Sequence, residues 1–192
     1  MGADKALLPF GGRNLLELAL GKAKKVSPSP LIVGARERYA TFGDVVEDRI
    51  PGCGPLGGIH AALCATHTDV NLVLSVDMPL MTASFLRWMV QTAALRTELA
   101  IVPEAQGRLQ PLCAIYKRPA LCVIEQALKA GDFKVGYIFK RLPTHYIPES
   151  ELRSAGFSPD IFRNINTPAE YEAVGSLPTP DSRQGTKAKT DE

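Results

Sequence analysis

Apolar positions in this chain follow two rhythms. Short, mostly apolar runs occur at Leu31–Val33, Val45–Val46, Leu72–Val76 (with Ser75 the exception), Leu99–Val102, Leu112–Tyr116 and His145–Ile147, and runs of this length rich in β-branched residues predict strands. Between them, apolar residues recur every three or four positions. Leu15, Leu16, Ala19 and Leu20 mark a helix over residues 13–26, and Leu56, Ile59 and Leu63 mark a second. Phe85, Leu86, Met89, Val90 and Ala93 mark a third over residues 82–96. A fourth, over residues 118–129, has Pro119 in its first turn and Gly131 past its end. Strands alternating with helices predict an α/β domain of three layers, α/β/α, around a mostly parallel sheet.

The run Asn71–Pro79, NLVLSVDMP, organises this pattern. Its apolar continuity predicts a strand covered on both faces, central in a parallel sheet and stopped by Pro79. Asp77 then stands at the carboxyl end of a strand, where open α/β sheets bind ligands. A carboxylate there suits a hard cation such as Mg²⁺ carrying a phosphorylated substrate. The same residue could equally cap the helix that follows.

Two further stretches bear on a site. PGCGPLGG, residues 51–58, places four glycines and two prolines before a helix, so backbone amides can approach an anion. A tight turn without a ligand explains the same spacing. In FRNINTPAEY, residues 162–171, Thr167, Pro168 and Glu170 spell a helix start, with Asn164 and Asn166 just ahead of it as ligand amides or as partners for local backbone. From Gly175 the chain is polar and rich in small residues and proline. The expected organisation is one folded domain over residues 1–174 and a disordered tail over 175–192.

Composition narrows the classes. The 192 residues are 45% hydrophobic and 22% charged, with a net charge of +2, so bulk charge points to neither a nucleic acid nor a membrane surface. No membrane-span-length apolar run or signal-peptide layout is present, and a cytoplasmic setting is expected. Cys53, Cys64, Cys113 and Cys122 follow no metal-ligand spacing and read as small hydrophobes. His60, His67 and His145 are scattered without a cysteine or acid at ligand spacing, so no zinc site is expected.

With these pieces in order, the chain resembles the molybdenum-cofactor guanylyltransferase family of the nucleotidyltransferase, Rossmann-like fold. The resemblance rests on MGADKALL (residues 1–8), VVED (45–48), GPLGGIHAAL (54–63), LSVDMP (74–79), QPLCAIY (110–116) and NINTPAEY (164–171). It implies transfer of GMP from Mg-GTP to the terminal phosphate of molybdopterin with release of pyrophosphate. It further implies molybdoenzymes or their chaperones as recipients of the product.

By the same resemblance Lys5 and Asp77 are catalytic, with Asp77 the metal ligand. Lys5, Asp48, Asp77, Gly54, Pro55 and Leu56 contact the nucleotide, and Gln110, Asn164 and Asn166 face the molybdopterin. On composition alone, Lys5 would be a solvated surface lysine. A family position that can be asparagine falls near Gly34. Family members open with a strand and a loop of the form L-A-G-G-x-S-x-R-M-G, of which Met1 and Gly2 match the tail. An N-terminally truncated fold lacking that first strand and glycine-rich loop, with weakened GTP binding, is therefore expected. Two rivals remain open: a cytidylyltransferase of the same fold, and a non-catalytic nucleotide- or molybdopterin-binding protein.

Overall fold

The computed structural model describes residues 4–164. Asn166, the Thr167 helix start and the tail from Gly175 lie outside the described residues, as do Met1 and Gly2. After a short 3-10 helix at Lys5–Leu7, strands β1 (Pro9–Phe10) and β2 (Arg13–Asn14) form a tight hairpin. Its two-residue turn, Gly11 and Gly12, has φ of 55° and 79°, the left-handed pair that such a hairpin demands.

Helix α1 (Leu15–Ala23) opens with a complete capping box between Asn14 and Glu17. Then follow β3 (Ile32–Val33), α2 (Arg36–Tyr39), β4 (Val45–Val46), α3 (Gly54–Ala65), β5 (Val70–Leu74), α4 (Ala83–Ala94), β6 (Ala100–Ala105), β7 (Arg108–Leu109), β8 (Cys113–Lys117), α5 (Ala120–Lys129), α6 (Val135–Ile138), β9 (Thr144–Ile147) and α7 (Glu149–Ser154). A 3-10 turn at Pro159–Phe162 completes the described chain.

The three-layer α/β/α architecture is as expected, and its core shows why. On β6 and β8 successive side chains enter opposite cores. Ala100, Val102, Ala114 and Tyr116 meet Leu56, Ile59, Leu63, Ile124 and Leu128 of α3 and α5. Ile101, Cys113 and Ile115 meet Phe85, Leu86 and Met89 of α4 and Leu152 of α7. Burial so deep drives the Cys113 thiol and the Tyr116 phenol well above their usual titration ranges.

The parallel character of the sheet lies in direction more than in pairing. β6 pairs parallel with β9, while β8 pairs antiparallel with both β5 and β6, so β5, β6 and β9 point the same way. β3 and β4 form a separate parallel pair.

Two expectations are corrected. The organising strand packs on both cores, through Val73 on one face and Leu72 and Leu74 on the other, but it is not central. β5 is half-buried along its whole length, and β8 is its one strand partner among the described residues. The doubly buried strands are β6 and β8, whose residues are small enough or apolar enough to fill both cores. β5 also stops at Leu74, ahead of Pro79, because Ser75–Leu80 turns toward α4.

Conversely, Pro103 does not end β6, which runs through it to Ala105. On that edge β6 passes from pairing with β8 at Ile101 to pairing with β7 at Glu104, and the Pro103 carbonyl accepts from the Gln110 amide at 2.8 Å. The missing proline N–H faces this change of partners, where the ladder loses nothing.

Phe85 is fully buried and meets the Phe157 and Phe162 rings edge-on at 5.2 Å, with Trp88 at 5.7 Å. Replacing Phe85 by Ala should cost about 3–5 kcal/mol in urea denaturation, whereas Leu95→Ala, at an 87% exposed position, should change stability by about 0.5 kcal/mol or less.

Candidate active site

The N-terminal turn is fixed by Asp4. Its Oδ1 accepts from the Ala6 amide at 3.1 Å, which caps the 3-10 turn carrying Lys5. Its Oδ2 accepts from the Tyr39 hydroxyl at 2.6 Å and lies 3.6 Å from the Arg38 guanidinium. Ala6 packs with Leu16 of α1, Ile32 of β3 and Val45 of β4, and Val76 joins the same cluster. Lys5 and Asp77 are therefore each the chain neighbour of a residue in one small core. Burial, the hydrogen bond to Asp4 and the Asp4 charge together push the Tyr39 phenol up to about 12. The Tyr39 ring also explains Gly34 at the end of β3, because a Cβ on Gly34 would stand 2.7 Å from Tyr39 Cε2.

Asp77 lies half-buried on the turn after β5 and accepts at Oδ1 from the Ser75 hydroxyl at 2.5 Å. The alternative that it caps the next helix is excluded, since Thr82 holds that position and its Oγ1 accepts from the Phe85 amide at 3.2 Å. The turn is tied down on two sides. Ser75 N donates to the Leu112 carbonyl at 2.7 Å, and Lys22 Nζ of α1 donates to the Pro79 carbonyl at 2.5 Å.

The third group surrounds the start of α3. Gly54 opens the helix at φ 57° with Pro55 in the first turn, and no side chain caps its start. The carboxylate of Asp48, in the exposed loop after β4, reaches this turn. Cβ atoms built on Gly57 and Gly58 would lie 3.7 and 3.8 Å from Asp48 Oδ1, and the one on Gly58 would also lie 3.5 Å from Val33 of β3. Asp48 is thus beside Gly57 and Gly58, while nothing lies within 4 Å of a Cβ built on Gly54, and Leu56 is fully buried in the core.

Gln110 stands before β8, two residues from the Leu112 carbonyl that holds Ser75. Its amide nitrogen donates to the carbonyls of Ala105 and Arg108 at 3.4 and 3.3 Å. Asn164 follows the 3-10 turn packed on β6, and its Oδ1 is buried without a hydrogen-bond partner. Gly34, Asp48 and Asp77 follow β3, β4 and β5 in the chain, beyond strand ends of the kind at which an α/β sheet takes its ligand, and Gln110 lies opposite Pro103 of β6.

A family model for the MobA-like NTP transferase domain matches residues 1–145. The chain belongs to the MobA-like NTP transferase family. It is 35% identical over 172 residues to a probable molybdenum cofactor guanylyltransferase of Pelotomaculum thermopropionicum, covering 88% of this chain and 83% of that protein. It superposes on molybdopterin-guanine dinucleotide biosynthesis protein A of Archaeoglobus fulgidus with a TM-score of 0.76 and 28% identity, covering 91% of this chain and 90% of the other. The fold is shared more widely. A 2-C-methyl-D-erythritol 4-phosphate cytidylyltransferase of Thermus thermophilus gives a TM-score of 0.66 at 17% identity, covering 90% of this chain and 92% of the other.

In this MobA-like NTP transferase two features escaped sequence reading. The Asp4–Tyr39 bond that fixes the Lys5 turn joins residues 35 apart, with no local signal. The expectation that no histidine has a cysteine or acid at ligand spacing is also corrected. His60 and Cys64 lie one turn apart on α3, and Glu125 of α5 faces both. The i, i+4 spacing was legible, but the acid arrives from another helix. No helix among the described residues is long and apolar enough to cross a membrane.

The Tyr39–Asp4 bond has a pH signature. The phenol titrates near 10 when unfolded and near 12 when folded, so the bond's contribution is whole below pH 10 and is lost as pH rises toward 12. Tyr39→Phe should cost about 1 kcal/mol near neutrality, and the gap between the two proteins should close across that alkaline window in urea titrations.

Proposed function

We propose that this chain transfers GMP from GTP to the terminal phosphate of molybdopterin and releases pyrophosphate. Two observations support the reading. Relatives named as molybdenum cofactor guanylyltransferases align with nearly the whole chain, and Asp77 stands on a braced turn just past β5 with no helix to cap.

The chemistry asks little covalent work of the protein. An oxygen of the pterin phosphate attacks the α-phosphorus of GTP, a new P–O bond forms, and the bond to the β-phosphate oxygen breaks as pyrophosphate leaves. Two polyanions must be aligned and their charge offset. Uncapped amides at the start of α3 donate to nucleotide oxygens. The Asp48 carboxylate beside them repels phosphate, so this end takes the nucleoside and Asp48 accepts from its N–H or O–H donors. That polarity directs the triphosphate toward Lys5 and Asp77, where the ammonium of Lys5 offsets charge on the phosphates. Gln110 and Asn164 border the acceptor side, and Asn164 Oδ1 is free to accept a hydrogen bond from the pterin.

Asp77 fits a divalent cation. It is half-buried on a braced turn, it is no helix cap, and Ser75 engages a single carboxylate oxygen. One carboxylate completed by substrate phosphates and water is the usual setting of Mg²⁺, which when bound neutralises phosphate charge. Chain residues do the rest: Ser75 orients the carboxylate, and the Leu112 and Lys22 contacts hold its turn still. The product then passes to molybdoenzymes or their chaperones.

Pyrophosphate release from GTP with molybdopterin as acceptor tests this. Turnover should depend on GTP and fall about 100-fold or more in Asp77→Ala, and Asp48→Asn should raise KM for GTP about tenfold with a smaller effect on kcat. CTP supporting release as well as GTP, or unchanged turnover in Asp77→Ala, would overturn the assignment.

A further inference from the structure

On the face of the molecule formed by α3 and α5, three side chains with metal-binding chemistry converge. His60 and Cys64 project from successive turns of α3, and Glu125 comes from the middle of α5. His60 Nε2 lies 3.5 Å from Cys64 Sγ and 3.7 Å from Glu125 Oε1, and the three ligand atoms all lie within 4.8 Å of one another. A tetrahedral ion with ordinary bond lengths to nitrogen, oxygen and sulfur holds such atoms about 3.3–3.6 Å apart. The cluster is therefore close to the spacing that one small ion imposes.

The ring of His60 is buried, and its Nδ1 has no hydrogen-bond partner. All of its polar contact therefore goes through Nε2, toward the thiol and the carboxylate. A buried imidazole facing a thiol and a carboxylate is a donor set of mixed softness, which suits Zn²⁺ and its transition-metal neighbours and not Mg²⁺. A way in exists. A groove of about 370 Å³ lined by Asp69, Arg118, Pro119, Leu121, Cys122 and Glu125 leads from solvent to the glutamate. Arg118 in that groove donates to the Thr66 carbonyl at the end of α3.

We propose that His60, Cys64 and Glu125 form a binding site for a Zn²⁺-class ion, with the fourth position open to water through the groove. The site is separate from Asp77, which lies on the turn after β5. The ion links α3 to α5 across the top of one core. It thereby fixes the helix whose first turn, Gly54–Gly58, lies against Asp48.

Titration of the full chain with Co²⁺ as a spectroscopic substitute, read together with thermal unfolding, tests the proposal. One Co²⁺ per chain should bind with a thiolate-to-cobalt charge-transfer band, be displaced by Zn²⁺ but not by excess Mg²⁺, and raise the unfolding temperature. The band should vanish in Cys64→Ser and persist in Cys122→Ser, and Glu125→Gln should weaken binding about tenfold or more. Absence of the band in the unaltered chain, or its survival in Cys64→Ser, would overturn the site. If Cys64→Ser fails to fold, Glu125→Gln decides, because an unchanged cobalt affinity in that variant is equally fatal.

Discussion

Successive side chains of a strand leave on opposite faces, so β6 and β8 can be apolar throughout only if helices cover both sides of the sheet. Every larger feature of the molecule follows from that constraint. α3 and α5 are pressed against Ala100, Val102, Ala114 and Tyr116, and α4 and α7 against Ile101, Cys113 and Ile115. Small residues on the α3 and α5 side let the helices come close, and the Tyr116 ring fills the remaining depth. Its hydroxyl finds the Pro111 carbonyl at 2.9 Å, so the largest buried polar group in the sheet is satisfied by the loop just before its own strand.

The same packing fixes where chemistry can happen. Helices cover the faces of the sheet, so its open end is left for ligands, and the chain turns there with groups that packing does not need. Asp77 is the clearest case. Ser75, Leu112 and Lys22 hold its turn, Thr82 takes over the duty of capping α4, and the carboxylate is left without a structural task. Asp48 is a second, in an exposed loop with its carboxylate beside Gly57 and Gly58 at the start of α3.

Legibility in the sequence divided along physical lines. Elements whose signal is local were readable: the apolar stripe of α4, the short strands β3 and β4, and β8 with α5 behind it. Features set by partners distant in sequence were not. Nothing in the run Asn71–Leu74 says whether its second edge is covered, so β5 reads as central although β6 and β8 are the buried pair. Pro103 reads as a terminator because its tolerance depends on β8 giving way to β7 alongside it. At the site, Asp77 was legible as a carboxylate past a strand end and the Gly54 stretch as a turn before a helix, whereas Asp48 was reached only through the family resemblance. The bond between Asp4 and Tyr39, and the approach of Glu125 to His60, depend on tertiary contact and left no trace in spacing.

The reversal of β8 has a kinetic meaning. Leu72 sits opposite Ile115, and between them in the chain lie α4, β6 and β7. The β5–β8 ladder therefore closes a long loop whose contents must already be compact, and its ordering entropy is recovered only when α4 seats on one side and α5 on the other. High contact order of this kind slows assembly, and the braced turn that carries Asp77 is among the parts that close late, because the Leu112 carbonyl reaches it only after β8 has docked. Competence for chemistry would then arise at the end of folding and not before it.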